Sequence, residues 1–198
     1  MSLNKFNPRT GIILLFIFFM AAVRIFFSLP LQHSPIGNFS PIGAMALFSG
    51  SYFISKSKAY LFPLLTLWIS DLFLNRFVYY HEWRLLFESF YWTYGAFALM
   101  VLTGMLIIKK VTVKNVLVAS LIVVLIHWIV TDFGVWIEGT MYPKNAAGWV
   151  ACLVAAIPYE SNVLAGTLLY SAVFFGLFEW IQKKYPIVAL RAPTTGLH

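Results

Sequence analysis

Long apolar runs separated by brief polar breaks set the pattern of this chain. The first run, Gly11–Leu29, is broken only by Arg24. Four more follow at Ala59–Asn75, Leu85–Ile108, Val113–Ile137 and Asn162–Ile181. Each approaches or exceeds the roughly 20 residues of helix that a hydrocarbon core of about 30 Å requires. Two further apolar pieces are short: Pro41–Ile54 (PIGAMALFSGSYFI) and Gly148–Pro158 (GWVACLVAAIP). Runs of about 10–14 residues are more often re-entrant or interfacial than spanning, so hydropathy alone leaves five to seven crossings open.

Lysine and arginine placement decides among these. With the N-terminus inside and Pro41–Ile54 crossing, ten basic residues fall in cytoplasmic segments: Lys5, Arg9, Lys56, Lys58, Lys109, Lys110, Lys114, Lys183, Lys184 and Arg191. Only Arg24, Arg76, Arg84 and Lys144 fall outside. If Pro41–Ile54 did not cross, the split would be five inside and nine outside; if Gly148–Pro158 crossed as well, it would be seven and seven. The positive-inside rule therefore predicts an all-α polytopic membrane protein. It has six transmembrane helices, both termini in the cytoplasm, and a non-crossing helical hairpin on the outer face at about 140–160. The tail 182–198 is polar, and one integral membrane domain accounts for the whole chain. The N-terminus, with Lys5 and Arg9 before an apolar stretch and Ala21-Ala22, has some signal-peptide character. The run continues through Ile25–Leu29 and many spans follow, which favours a retained first helix.

Composition agrees. The 198 residues are 61% hydrophobic and 11% charged, whereas soluble domains average about 45–50% apolar and about 25% charged. The basic excess, 14 Lys+Arg against 7 Asp+Glu, reads as a topology signal rather than as a nucleic-acid footprint. One cysteine, Cys152, permits neither an internal disulfide nor a metal-type pair.

The acids, which the positive-inside rule does not place, also segregate. Asp71, Glu82, Glu88, Asp132, Glu138 and Glu160 fall at the outer pole of this topology, with His33, His81 and His127; only Glu179 falls inside. Ionisable groups in spans are costly and by default face a cavity or a partner. Arg24 either snorkels outward or pairs with Asp71 or Asp132. Asp71 is either an interfacial carboxylate or a ligand contact. Glu88, Tyr91 and Tyr94 follow at near one-turn spacing and could line a pocket, while Trp92 suits an interfacial aromatic belt. His127 either bonds a neighbouring helix or meets a ligand, with Asp132 loosely aligned beside it. There is no HxxxH or HExxH, so no metal site is expected. The DFG at 132–134 lacks any kinase context, and the sequon Asn38–Ser40 is a bare tripeptide. Small residues at Ala46 and Gly50, Ala147, Ala151 and Ala155, and Ala172 and Gly176 recur at four-residue spacing, as helix packing or subunit docking requires.

The segments SPIGNFSPIGAMALFSGSYF, PLLTLWISDLFLN and TDFGVWIEGTMYPKNAAGWVACLVAAIPY together resemble a family of small bacterial membrane proteins of unknown function with an assumed role in transport. The layout is also similar to the substrate-binding S-components of energy-coupling-factor vitamin transporters. That resemblance implies a six-helix protein of the bacterial cytoplasmic membrane with a vitamin pocket near its outer face. It also implies docking on a transmembrane T-component driven by ATPases, although the first span has only Ala21-Ala22 in place of an AxxxA docking motif.

Three functions compete. The first is small-molecule uptake, with a pocket between the outer ends of the third, fourth and fifth spans, closed by the 30–41 loop and the hairpin. Its expected ligand contacts are His33, Asn38, Asp71, Glu88, Tyr91, Tyr94, His127, Asp132, Trp136, Tyr142 and Tyr159. Aromatic walls with a few polar groups suit a flat amphipathic ligand. A corrinoid is one such molecule, with His33, His81 or His127 as cobalt ligands. The second is an intramembrane enzyme on a lipid-linked substrate, using His127, Asp132, Glu138 and Glu160 as acid–base groups; the chain has no GxSxG, and Ser161 has no evident base. The third is a structural or assembly subunit. No Walker A motif is present, so no resident cofactor is expected, and coupling to ATP would need partners.

Overall fold

The computed structural model describes residues 8–31 and 38–188. Among these there are six α-helices and no strand. They are α1 (Pro8–Leu31), α2 (Ile42–Tyr52), α3 (Lys56–Leu74), α4 (Phe90–Ile107), α5 (Val113–Glu138) and α6 (Ala146–Lys184). A π-helical turn, Asn75–Tyr79, ends α3. All of these helices except α2 are long and apolar enough to cross a membrane. The starts of α5 and α6 are fixed by side-chain caps: Thr112 Oγ1 accepts from the Asn115 amide at 3.1 Å, and Asn145 Oδ1 from the Gly148 amide at 2.9 Å.

The second expected span is not a full-length helix. At 11 residues, α2 is about 16 Å long, half a hydrocarbon core. It sits in the centre of the bundle, with Gly43–Gly50 and Tyr52 all buried. Its small residues explain how it fits there. A β-carbon on Gly50 would run into the Val101 carbonyl of α4, and one on Gly104 would come within 2.7 Å of the Leu47 carbonyl. The Ala46–Gly50 spacing therefore serves packing within the fold. From α2, Phe48 stacks on Phe16 at 5.4 Å, and Tyr52 meets Phe178 at 4.3 Å.

The ends of the elements sort into two poles. Arg9, at the start of α1, donates to Gln182 Oε1 at 2.5 Å, to the Val188 carbonyl at 3.0 Å and to the Tyr52 carbonyl at 3.4 Å. The beginning of α1, the end of α2 and the end of α6 thus share what we term the terminal pole. The start of α2 lies much deeper, where Gly166 of α6 faces the Ser40 carbonyl and Gly43 faces Thr167.

Residues 140–160 do not form a hairpin separate from the last span. Gly148–Pro158 and Asn162–Ile181 belong to one helix of 39 residues. Pro158 removes one intrahelical bond, but within a helical bundle neighbouring groups make up such losses. The polar stretch after it stays helical because its side chains find partners: Ser161 Oγ donates to the Ile157 carbonyl at 2.9 Å, and Glu160 reaches His127. The fourth span also starts later than its hydropathy suggests, at Phe90, after Ser89 takes a left-handed conformation (φ 61°).

Candidate functional site

Opposite the terminal pole, a cavity of about 400 Å³ opens between α1, the segment before α2, the end of α3, α4, α5 and α6. Its polar lining comprises Arg24, Asn38, Ser40, Asp71, Asn75, Thr93, His127 and Thr131. Tyr79, Tyr80 and Phe87 supply aromatic walls, and Ile42, the first residue of α2, is its deepest contact with that helix. The short second helix therefore has a positional consequence: because α2 begins at mid-depth, the space above it is left for the cavity.

An ion pair anchors the α1–α3 wall. Arg24 Nη2 lies 2.6 Å from Asp71 Oδ1, with only 11% and 7% of the two side chains exposed. Arg24 Nη1 also donates to Ser70 Oγ, and Tyr94 Oη donates to Asp71 Oδ2 at 2.8 Å. Arg24 therefore does not snorkel; its alternative, pairing with Asp71, is the arrangement observed. Burial of such a pair is tolerable only when the remaining lone pairs and protons are met, and Ser70 and Tyr94 do that.

The α5–α6 wall carries a second polar contact, His127 Nδ1 to Glu160 Oε1 at 2.9 Å. Thr131 Oγ1 returns its hydrogen bond to the His127 carbonyl at 2.7 Å. Asp132 lies beyond, on the face toward α6, where its carbonyl accepts from Cys152 Sγ at 3.6 Å. Asp132 Oδ2 and Glu160 Oε2 are buried without a hydrogen-bond partner. Among the described residues no three His, Cys, Asp or Glu side chains converge as a metal set.

A second hollow, about 720 Å³, shares Phe87, Thr93 and Thr131 with the first and extends along the α4–α5 side toward Glu88 and Glu138. Glu138 accepts from Ser89 Oγ, from Tyr91 Oη and, at 2.7 Å, from Trp92 Nε1. These bonds tie the start of α4 to the end of α5. Glu88 stands exposed on the rim.

Among the described residues three non-glycine residues have left-handed backbones: Asn38 (φ 68°), His81 (φ 59°) and Ser89 (φ 61°). Asn38 and Ser89 line these hollows, and His81 directly follows Tyr80, which lines the first. Such conformations cost of order 1–3 kcal/mol and gather at functional sites. The π turn has the same location. It brings Asn75, Tyr79 and Tyr80 onto one wall, where Asn75 donates to the Arg84 carbonyl at 3.2 Å and Arg84 lies 4.2 Å over the Tyr80 ring. π-Helical turns are rare and often mark such sites.

The structure thus brings Asn38, Asp71 and His127 to one cavity, with Tyr94 behind Asp71. Glu88 lies at the neighbouring hollow, which Tyr91 helps to hold through Glu138. The other expected contacts lie elsewhere. Trp136 donates to the Pro143 carbonyl at 2.9 Å and packs between Phe133 and Trp149, as part of the α5–α6 turn. Tyr142 belongs to that same turn, half-buried, and Tyr159 is 58% exposed on the outside of α6. Asp132 lines neither hollow; its backbone carbonyl accepts from Cys152 of α6. His33 lies outside the described residues. Ser40, Asn75, Tyr79, Tyr80, Thr93 and Thr131 are lining residues not anticipated from the sequence. Thr131 alone carried a signal, its i+4 spacing from His127.

Compared with known families, the sequence matches the family of unknown function DUF6580 over residues 4–189. No curated protein and no solved structure matches it.

Proposed function

The chain belongs to DUF6580, a family of unknown function, and we propose from the site itself that it is a bacterial cytoplasmic-membrane protein that captures a small amphipathic molecule from outside for uptake. In this reading the chain passes between its poles six times. The segment 38–41 and the half-length α2 together make the second passage, and the terminal pole faces the cytoplasm. Ten of the fourteen Lys and Arg residues then lie on that side, as the positive-inside rule asks. The cavity then opens outward.

The observation that carries the proposal is the cavity. At about 400 Å³ it is in the range of ligand sites, about 300–1,000 Å³. Its buried ion pair, Arg24–Asp71, and its His127–Glu160 hydrogen bond are both made within the protein. A ligand would meet uncharged groups, Asn38, Thr93 and the imidazole edge of His127, against the Tyr79, Tyr80 and Phe87 rings. That lining suits a flat molecule with hydrogen-bonding edges and little net charge. A vitamin-like compound is such a molecule, and a corrinoid would use His127. Transport would then depend on partner subunits, as in the S-component arrangement.

Native mass spectrometry of the chain purified in mild detergent, together with its absorption spectrum, tests this. A stoichiometric small molecule that is lost in a folded His127→Ala variant supports it. A ligand-free protein that turns over a lipid-linked substrate sinks it. A co-purified T-component with ATPases would support the coupling scheme.

A further inference from the structure

A further open groove lies at the other pole from that cavity. Between α5 and α6, at the terminal pole, runs a groove of about 370 Å³. Its walls are mostly aliphatic: Val113, Val116 and Leu117 from α5, and Leu168 and Ala172 from α6, with Phe175 at the side. No chain segment among the described residues fills it. A β-carbon placed on Gly176 meets no atom within 4 Å, so the Ala172–Gly176 pair keeps the groove open rather than packing a neighbouring helix. At its floor, Ser120 and Ser171 are 0% and 1% exposed, and neither hydroxyl has a hydrogen-bond partner. Within a helix such a hydroxyl can bond the carbonyl one turn back; here neither does, and the groove floor is polar and unclaimed.

The rim at the terminal pole has a definite charge. Lys114 stands in the first turn of α5, one residue from Val113, and Lys110 precedes that helix. On α6, Lys183 falls four residues after Glu179 and so continues the same helix face. All three lysines are exposed. Glu179, the one carboxylate at this end among the described residues, also lines the groove; its Oε1 is held by Tyr52 Oη at 2.6 Å and by Gln182 Nε2 at 2.9 Å, so two exposed lysines outnumber it at the rim.

We propose that this groove is a binding site for one anionic phospholipid, with an acyl chain in the α5–α6 trough and its phosphate held by Lys114 and Lys183. Size, greasiness and charge agree. At about 30 Å³ per small group, the volume of a water in the liquid, the groove holds about a dozen methylene-sized units. Basic pockets between spanning helices suit lipid headgroups. A partner's transmembrane helix is the competing occupant, and the two floor hydroxyls separate the alternatives. Hydrocarbon leaves Ser120 and Ser171 unmet, whereas a helix would accept from them. The site is independent of the uptake reading and stands or falls without it.

The test uses native mass spectrometry of the chain with phosphatidylglycerol or phosphatidylcholine of identical acyl chains. One phosphatidylglycerol should survive detergent washing that strips phosphatidylcholine, with a preference of about 30-fold for two lysines near the phosphate. Lys114→Gln with Lys183→Gln should abolish the preference. Gly176→Phe, which fills the groove, should lose the retained lipid while eluting as a monodisperse protein; Ala172→Leu serves if that variant misfolds. Ser120→Ala with Ser171→Ala should keep the lipid. Equal retention of both lipids overturns the proposal, as does retention unchanged by the filling variant. A co-purified membrane protein that is lost with the two serine hydroxyls also overturns it, in favour of a helix.

Discussion

Asp71 shows how a single side chain is held in this protein. Its carboxylate is divided between Arg24 and Tyr94, and almost none of it reaches solvent. Removing one partner of a buried pair strands the other charge, at a cost of about 3–5 kcal/mol, while replacing both by apolar groups is often neutral. Asp71→Asn should therefore lower the midpoint of thermal unfolding in detergent sharply, and Arg24→Met with Asp71→Leu should recover most of it. Equal losses in the single and double variants would mean that the pair is not coupled. Tyr94→Phe removes only one hydrogen bond to a charged acceptor and should cost about 1.5–3 kcal/mol. The loss would be measured in the same assay and should disappear in the Asp71→Leu background, where no acceptor remains.

Among the elements, α2 carries the sharpest prediction, because its contact with α4 is backbone to backbone. Any side chain on Gly50 must displace the Val101 carbonyl, and any on Gly104 must displace that of Leu47. Gly50→Ala and Gly104→Ala should each destabilise the bundle by about 1–3 kcal/mol, in line with overpacking that only a backbone shift can relieve. Gly95, also within α4, has open space around its missing β-carbon, so Gly95→Ala should leave the unfolding midpoint unchanged or raise it slightly. This contrast also marks where the sequence was legible. The small-residue spacing at Ala46 and Gly50 announced a close helix contact, and the apolar runs announced five long helices, because both signals are local. The length of α2 was not legible: PIGAMALFSGSYFI is apolar to its ends, and the short helix lies buried among the five others. Nor was the continuity of α6. Pro158 and the polar Glu160-Ser161-Asn162 read as a break until His127 and the Ile157 carbonyl supply their partners. The cavity was half legible. Asp71 and His127 stood out as ionisable groups in apolar runs, but Asn75, Tyr79 and Tyr80 reach the wall through a π turn that has no sequence signature. Trp136 and Tyr159 looked like pocket walls because an aromatic near an interface reads the same whether it faces a cavity, a turn or lipid.

At the scale of the molecule, charge sets the proposed orientation in the membrane, and the two poles tie that orientation to the cavity. Arg9, Tyr52, Gln182 and Val188 meet at one pole, so a single orientation governs the start of α1, the end of α6 and the cavity at the other pole. The positive-inside rule counts lysines and arginines near span ends, and α2 is the element that decides the count, since a chain that failed to return after α1 would invert every later loop. Thiol labelling tests this directly. Cys152 is buried and can be replaced by serine. In that background single cysteines at Glu82 and Lys144 should react with a membrane-impermeant maleimide added to intact cells, while cysteines at Lys56, Lys110 and Lys184 should react only after the membrane is opened. All five positions are exposed on the protein itself, so a failure to label reports sidedness rather than burial. Labelling of Lys110→Cys from outside, with protection of Glu82→Cys, would turn the cavity toward the cytoplasm and exclude capture of an external ligand. Labelling of Lys56→Cys from outside together with the expected pattern elsewhere would instead show that α2 returns to the face it left, and that the return crossing is made by another part of the chain.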